Sequence, residues 1–379
     1  MRVRAPTEGN CAVIKPSELA PKCAQAMFDM LPRYLDIQCI KTVLGGADQT
    51  QALLKGDIDY IFYTGSTAVG KIIMQAAADK MIPVTLECGG KSPVYVADDA
   101  NIEIAAKRIA WGKCVNSGQT CVAPDYLLCS KATEQRLIPE VVKAWEEFYT
   151  ENPLESHSYA HIVNDRHFKR VEKLIDHSKL AYGGQCDENH NYISPTIMTN
   201  VTKDDKVMQE EIFGPILPFV NVNDETEAIS FINNNPKPLA LYVFTGNKNL
   251  AKRIISGTSS GSVCVNDVIL QAAPCALPFG GVGPSGLGHY HGKYSFDTFS
   301  HKRAVAFSSN FGDSLLAIRN PPYAQTKTKR LEFISKSYRN WFSIPRVFKT
   351  FWFWAFFCLA NAVLIKIIWK GIKYDRWEF

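Results

Sequence analysis

Short apolar runs that stop at small or glycine-bounded turns, each followed by a helical stretch, constrain this chain more than any other feature. Residues 58–63 read as a strand, 64–70 as a turn and 71–79 as a helix; 82–86 and 93–96 read as strands and 101–113 as the next helix. Upstream, 12–14 is a short strand, 19–31 a helix that Ser17 can cap, 39–44 an apolar alternation stopped by Gly45 and Gly46, and 49–55 a short helix. Downstream come helices at 135–149, 165–178 and 225–233, strands at 192–198, 216–222, 241–245 and 262–266, and a glycine-rich loop at 279–288. Strands alternating with helices imply a parallel sheet covered on both faces. With 379 residues, 46% of them hydrophobic, the chain can fill such a core and divide into two lobes.

Composition removes several function classes. The net charge of +5 is modest, and basic residues cluster only near the C-terminus, so nothing before it supports nucleic-acid binding. Eleven cysteines form no C-x-x-C pair, and Met1-Arg2-Val3-Arg4 has no signal-peptide apolar core, so the body is expected in a reducing compartment. Eight histidines include no H-E-x-x-H, and no metal site is expected. Cys23, Cys39, Cys129, Cys186, Cys264 and Cys275 read as small core residues. The C-terminus differs. Residues 350–365 carry no charge and are rich in aromatics. Counted on to Trp369, they give a helix of roughly 30 Å, enough to cross a bilayer. Lys349, Lys370 and Lys373 flank it and Lys366 can snorkel, so a tail anchor over 350–369 is expected, preceded by a basic stretch (Lys327, Lys329, Arg330, Lys336, Arg339).

Two stretches carry chemistry. Asn116-Ser117-Gly118-Gln119-Thr120-Cys121 sets a thiol in a small polar loop, and Leu86-Glu87-Cys88-Gly89-Gly90-Lys91 ends an apolar run on a carboxylate. A nucleophile and a base are the components of covalent acyl chemistry. Gly65-Ser66-Thr67-Ala68-Val69-Gly70-Lys71 follows a strand and opens a helix, where backbone N–H groups can receive a phosphate. Ile72 stands where a P-loop needs a metal-holding hydroxyl, so the segment suits a dinucleotide better than a Mg-nucleotide. Gly281-Val282-Gly283-Pro284-Ser285-Gly286 matches G-x-G-x-x-G but follows no clean strand, and reads as a surface or domain-crossing loop. On residues alone, Lys15 with Glu18 reads better as a solvated turn, and Glu211 ahead of Phe213 has exposed turn chemistry as its alternative.

These stretches, with Val122-Ala123-Pro124-Asp125-Tyr126, Pro278-Phe279-Gly280-Gly281-Val282-Gly283 and the run from His291-Gly292-Lys293 through Asp297-Thr298-Phe299-Ser300-His301, resemble the aldehyde dehydrogenase superfamily, and within it the class 3 branch that includes membrane-anchored fatty aldehyde enzymes. The similarity runs over residues 9–323. It implies an α/β fold: an incomplete Rossmann-type NAD(P)-binding domain over 1–86, a catalytic domain over 87–300, a return segment and basic linker over 301–345, and the transmembrane tail anchor over 350–369. By resemblance Cys121 is the nucleophile and Glu87 the general base. Lys15 and Glu18 hold the adenosine ribose, the turn of Gly65, Ser66, Thr67, Ala68, Val69 and Gly70 the pyrophosphate, and Glu211 and Phe213 the nicotinamide ribose and ring. The expected cofactor is NAD, with NADP possible, and the expected partners are an aldehyde, a membrane and a second copy of the chain in a homodimer, with no nucleic acid. An endoplasmic-reticulum membrane with the body in the cytosol follows by analogy.

Two departures qualify that expectation. Cys88 follows Glu87 where the family usually has an apolar residue, a small change. Residues 1–8 do not resemble what precedes residue 10 in the family, and the implied loss includes an Asn amide that holds the oxyanion, a tunnel helix and a strand. Removing one oxyanion donor lowers turnover by about 10²–10³, and open strands expose apolar surface and a sheet edge. The chain as written is therefore expected to be weak or inactive. The alternatives are a membrane-bound pseudoenzyme acting by association, and a cofactor-independent thiol esterase using Cys121 and Glu87.

Overall fold

Two-residue periodicity sorts the strand side chains onto opposite faces of a seven-stranded sheet, and each face is roofed by helices. The computed structural model describes residues 9–307 and 317–341. One unit runs to Lys302 and a second begins at Arg303.

In chain order the strands of the first unit are β1 (Ala12–Ile14), β2 (Ile40–Thr42), β3 (Ile61–Thr64), β4 (Val84–Glu87), β5 (Pro93–Val96), β6 (Tyr126–Cys129), β7 (Leu180–Tyr182), β8 (Cys186–Asp187), β9 (Tyr192–Ile193), β10 (Thr196–Met198), β11 (Ile216–Asn221), β12 (Ala240–Phe244), β13 (Ser262–Val265) and β14 (Gly286–Leu287). Its helices are α1 (Pro21–Tyr34), α2 (Ala47–Lys55), α3 (Thr67–Ala78), α4 (Ile102–Cys114), α5 (Lys131–Tyr149), α6 (Asp165–Glu172), α7 (Lys206–Gln209), α8 (Glu225–Asn233), α9 (Lys248–Gly257) and α10 (Gly292–Thr298). The large sheet has the order β13-β12-β5-β6-β11-β10-β7, parallel throughout except for β7. Val94, Val96, Leu127, Leu217, Phe219 and Tyr242 face α4 and α5, whose Ile109, Leu137 and Trp145 are buried against them. Tyr95, Leu128, Ile216, Val220 and Val243 face the other way, onto Phe168 and Val171 of α6 and Ile232 and Ile254 of α8 and α9. Asn101 and Ser130 cap α4 and α5, their side chains accepting from the N–H groups of Ile104 and Thr133.

The N-terminal strands do not join that sheet. β1 and β2 form a parallel pair, and β3 lies parallel to β4 with β14 antiparallel on the other side of β4. Their helices leave apolar side chains in solvent, Phe28 and Met30 on α1 and Ile72 and Met74 on α3, and Met81, in the turn after α3, is 90% exposed.

Several local expectations need correction. The segment expected as a turn over 64–70 is mostly the first part of α3: Ser66 is its cap, accepting from Val69 N at 3.4 Å, so only Gly65 and Ser66 form the turn. The helix expected over 19–31 runs instead from Pro21, which is pre-set for a first helical position, and Ser17 only tightens the preceding turn by accepting from Leu19 N. The strand expected over 192–198 is split into β9 and β10 at Pro195, which has no N–H for a ladder. The helix expected over 165–178 stops at Glu172. The glycine-rich loop at 279–288 is not a free surface loop, because its Gly286 and Leu287 pair with Glu87 and Leu86. Of the cysteines read as core, Cys23, Cys39, Cys186 and Cys275 are exposed.

The second unit holds a helix, α11 (Gln325–Trp341), which carries the basic residues of the expected linker. Among the described residues no helix is long and apolar enough to cross a membrane. The expected span at 350–369 lies outside the described residues.

Candidate active site

The parallel ladder of β3 and β4 ends at Glu87, whose backbone also pairs with Gly286. Central placement buries the carboxylate to 3% exposure, and neither oxygen has a hydrogen-bond partner. Burial alone pushes its acid up to about 8. Buried polar groups in folded chains are nearly always paired, so an orphaned carboxylate marks a place where something else belongs.

Cys121 comes from the link between α4 and β6. After Cys114 the chain makes a tight turn over Val115–Gly118 in which Asn116 and Ser117 take left-handed backbone angles (φ 52° and 51°) and Gly118 follows at φ 72°. A Cβ at Gly118 would collide with Gly214 O, so this turn requires glycine. Gln119 pins it from outside, donating to His161 O at 3.1 Å and accepting from Val163 N at 2.9 Å. Tyr242 donates to Val122 O and is itself held by Gln271. The backbone N–H groups of Cys121 and Val122 are directed at the sulfur, yet burial, with Glu211 and Glu87 adding to it, pushes the thiol up to about 11. Glu211 and Glu87 therefore lie near enough to the Cys121 sulfur for their charges to act on it.

Glu211 arrives from the segment between α7 and β11. It folds over Gly89, where a Cβ would overlap its carboxylate, and accepts from the N–H of Gly90. Burial, with the Asp125 charge adding to it, lifts its acid to about 7. Phe213, two residues on, has φ 47°, a costly left-handed conformation for an aromatic residue, and stays partly exposed. Cys88 sits between these groups, within the field of both Glu87 and Glu211; burial raises its thiol, and Thr67 bonds to it.

On the other side of Glu87, α3 begins where β3 ends, with Gly65 N donating to Glu87 O at 3.0 Å. Thr67 ties the helix start to Pro284 O at 3.0 Å. Gly70 faces the Cys88 sulfur, and an added Cβ would lie 3.1 Å from it. Lys15, at the end of β1, donates to Gly45 O at 2.7 Å and to Glu18 at 3.1 Å. Glu18 is held below the ordinary carboxylate range by its own backbone N–H and then by Lys15. The candidate cofactor residues thus fall in two groups: Lys15 with Glu18 beside the β1–β2 pair, and residues 65–70 with Glu211 around Glu87.

Sequence reasoning passed over four contributors. Lys91, which ends one of the two stretches singled out, and Asp125, four residues past the other, form a buried ion pair. Arg170 holds the Glu211 segment by donating to Ile212 O at 2.7 Å. Tyr290 lies in the field of Glu87 and Cys121 and rests edge-on against Phe62. For Lys91 and Asp125 a signal existed: charged residues within apolar, strand-flanking runs need a partner once buried.

Comparison with known proteins places the chain among aldehyde dehydrogenases. The model of the aldehyde dehydrogenase family matches residues 3–305. The rat protein named aldehyde dehydrogenase family 3 member A2 is 50% identical over 331 residues, covering 87% of this chain and 68% of the relative. The rat dimeric NADP-preferring aldehyde dehydrogenase is 50% identical over 320 residues, covering 84% and 71%. Among solved structures, a substrate-bound state of Staphylococcus aureus AldH superposes with a TM-score of 0.80 at 44% identity, covering 86% of this chain and 71% of that one. The Mycobacterium tuberculosis aldehyde dehydrogenase complexed with NAD+ gives a TM-score of 0.72 at 26% identity, covering 79% and 64%.

Proposed function

Because the chain belongs to the aldehyde dehydrogenase family, we propose that it oxidises aliphatic aldehydes to carboxylic acids with NAD(P)+, using Cys121 as nucleophile and Glu87 as base. The observation that carries this reading is the unpartnered, buried Glu87 carboxylate whose charge reaches the Cys121 sulfur. The site residues fit a dinucleotide. A strand-to-helix turn opens α3 beside Glu87, a paired Lys15 and Glu18 stand at the end of β1, and the Gly89–Gly90 backbone leaves room for Glu211. Bound there, the oxidised nicotinamide supplies a hydride acceptor and one positive charge.

Each residue has a definable task. The Cys121 sulfur forms a bond to the aldehyde carbon as the thiol proton passes to solvent water and the carbonyl electron pair moves onto the oxygen. Loss of hydride leaves a thioester on Cys121. Glu87 then takes a proton from water, whose oxygen attacks that thioester and releases acid and thiol. An acid near 8 suits this work, since it is partly ionised at neutral pH and strong enough as a base to activate water. Glu211 and Phe213 position the nicotinamide end of the cofactor, Lys15 and Glu18 the ribose, and residues 65–70 the pyrophosphate. An ionised Glu18 opposes a 2′-phosphate, which favours NAD over NADP.

We extend the proposal to medium- and long-chain substrates. An uncharged stretch at 350–365 flanked by lysines can hold the body at a bilayer into which such aldehydes partition, with the endoplasmic reticulum as the membrane by analogy. A homodimer is proposed from similarity to a relative named as dimeric. The test is direct: purified protein with a long-chain aldehyde and NAD+ should generate reduced cofactor, followed by absorbance. Absence of signal, with Cys121 still open to alkylation, would reject aldehyde oxidation.

A further inference from the structure

We propose that Lys91 is a positioning residue: paired with Asp125, it locks the segment carrying Glu211 and Phe213 against the thiol loop. This rests on the reading above of Cys121, Glu87 and Glu211.

The argument begins with what the 207–213 segment lacks. α7 is a single turn, so its last carbonyls have no partner within the helix, and the residues after it enter no strand until Ile216. Their backbone groups are satisfied instead by side chains. Lys91 donates to Val207 O at 2.8 Å, to Glu210 O at 2.9 Å, and to Asp125 Oδ1. An ammonium has three hydrogens, and all three are used. Asp125 Oδ2 in turn accepts from Ile212 N at 2.9 Å, and Asp125 N donates to Ser92 O at 2.8 Å. Both side chains are more than nine-tenths buried.

Position along the chain gives this pair its meaning. Lys91 lies four residues after Glu87, Asp125 four residues after Cys121, and Ile212 directly follows Glu211. One ion pair therefore joins the three segments that carry base, nucleophile and cofactor carboxylate. Arg170 grips the same segment from α6, through Glu211 O at 3.3 Å and Ile212 O, but does not touch the thiol loop. Burying two charges is costly, and an apolar pair of equal volume usually stabilises a fold as well or better. What an apolar pair cannot do is hold two carbonyls and one amide of an irregular loop in a single register. The left-handed backbone at Phe213 fits a segment held from both sides.

The test compares Lys91→Met and Lys91→Arg with the native protein in two kinds of measurement. In the cofactor-free protein, amide exchange of the 207–213 peptide should quicken by about 10-fold or more in Lys91→Met, with β6 and β11 unchanged. In turnover, the KM for NAD+ should rise about 10-fold and kcat for aldehyde oxidation should fall, while cofactor-free hydrolysis of an activated ester through Cys121 changes by less than about 3-fold. Lys91→Arg should restore part of both. If Lys91→Met does not fold, the double variant Lys91→Met/Asp125→Leu, which removes both charges, carries the same readouts. Unchanged exchange at 207–213, or oxidation and ester hydrolysis falling together, overturns the clamp. A native protein that shows neither reaction refutes the functional reading, and the exchange result still decides the clamp.

Discussion

Phe219 and Ile72 are both apolar residues of regular elements in one unit, yet Phe219 has no exposed surface and Ile72 is 58% exposed. The difference follows from how their sheets are covered. β11 is an inner strand of seven, roofed on both faces, so each of its side chains meets a helix. α3 lies on a three-stranded sheet and buries Ile73 and Ala77 inward, while Ile72 and Met74 point outward with nothing described against them. The proposed nucleophile and the proposed clamp of Lys91 and Asp125 are built on the large sheet, and Glu87 and the candidate cofactor turn on the small one. The site joins a rigid half to a half with little core of its own.

The comparison can be sharpened by substitution. The largest effect should come from chemistry on the rigid half. Cys121→Ala is expected to lower aldehyde oxidation by about 10⁴-fold or more with a melting temperature close to native, as measured by turnover and calorimetry on one sample. Packing should separate the halves next: Phe219→Ala should cost about 3–5 kcal/mol in denaturant unfolding, and Ile72→Ala no more than about 0.5 kcal/mol. Equal costs would mean that α3 is covered in solution.

Glu87 gives a smaller, pH-dependent effect. Its folded acid, near 8, lies above its ordinary value of 4.5, so ionising it in place costs stability. That cost is absent below about 4.5, grows as pH rises, and is complete above about 8. Glu87→Gln, neutral throughout, should therefore raise stability by about 1–3 kcal/mol at pH 9 and leave it unchanged at pH 4. The same variant should lose the limb of the activity profile that rises through pH 8. The smallest change is expected at β1: Val13→Ala, at a side chain 57% exposed, should shift unfolding by less than about 0.5 kcal/mol.

Most of the large sheet was legible because its strands are short apolar runs buried on both faces, but β6 and β7 went unread, and the caps at Asn101 and Ser130 emerged only with the structure. The small sheets were less so. β14 hides in a glycine-rich stretch with no apolar run to mark it, and its place is set by pairing with residues about two hundred positions earlier in the chain. At the site, Cys121 and Glu87 stood out through their motif context, and the Glu87 charge acts on the Cys121 sulfur. The hold on Glu211 did not stand out, because it depends on Lys91 meeting carbonyls of a segment more than a hundred residues away. Local sequence shows which groups need partners, and only the fold shows where they find them.

The central claim is that the Cys121 sulfur carries the substrate through a thioester that Glu87 helps to hydrolyse. Rapid quenching of the Glu87→Gln variant with an aliphatic aldehyde and NAD+, followed by peptide mass spectrometry, tests it most directly. The account predicts an acyl adduct on the peptide containing Cys121, abundant in that variant and scarce in the native protein. Reduced cofactor formed with no acyl group on that peptide in either protein would contradict it.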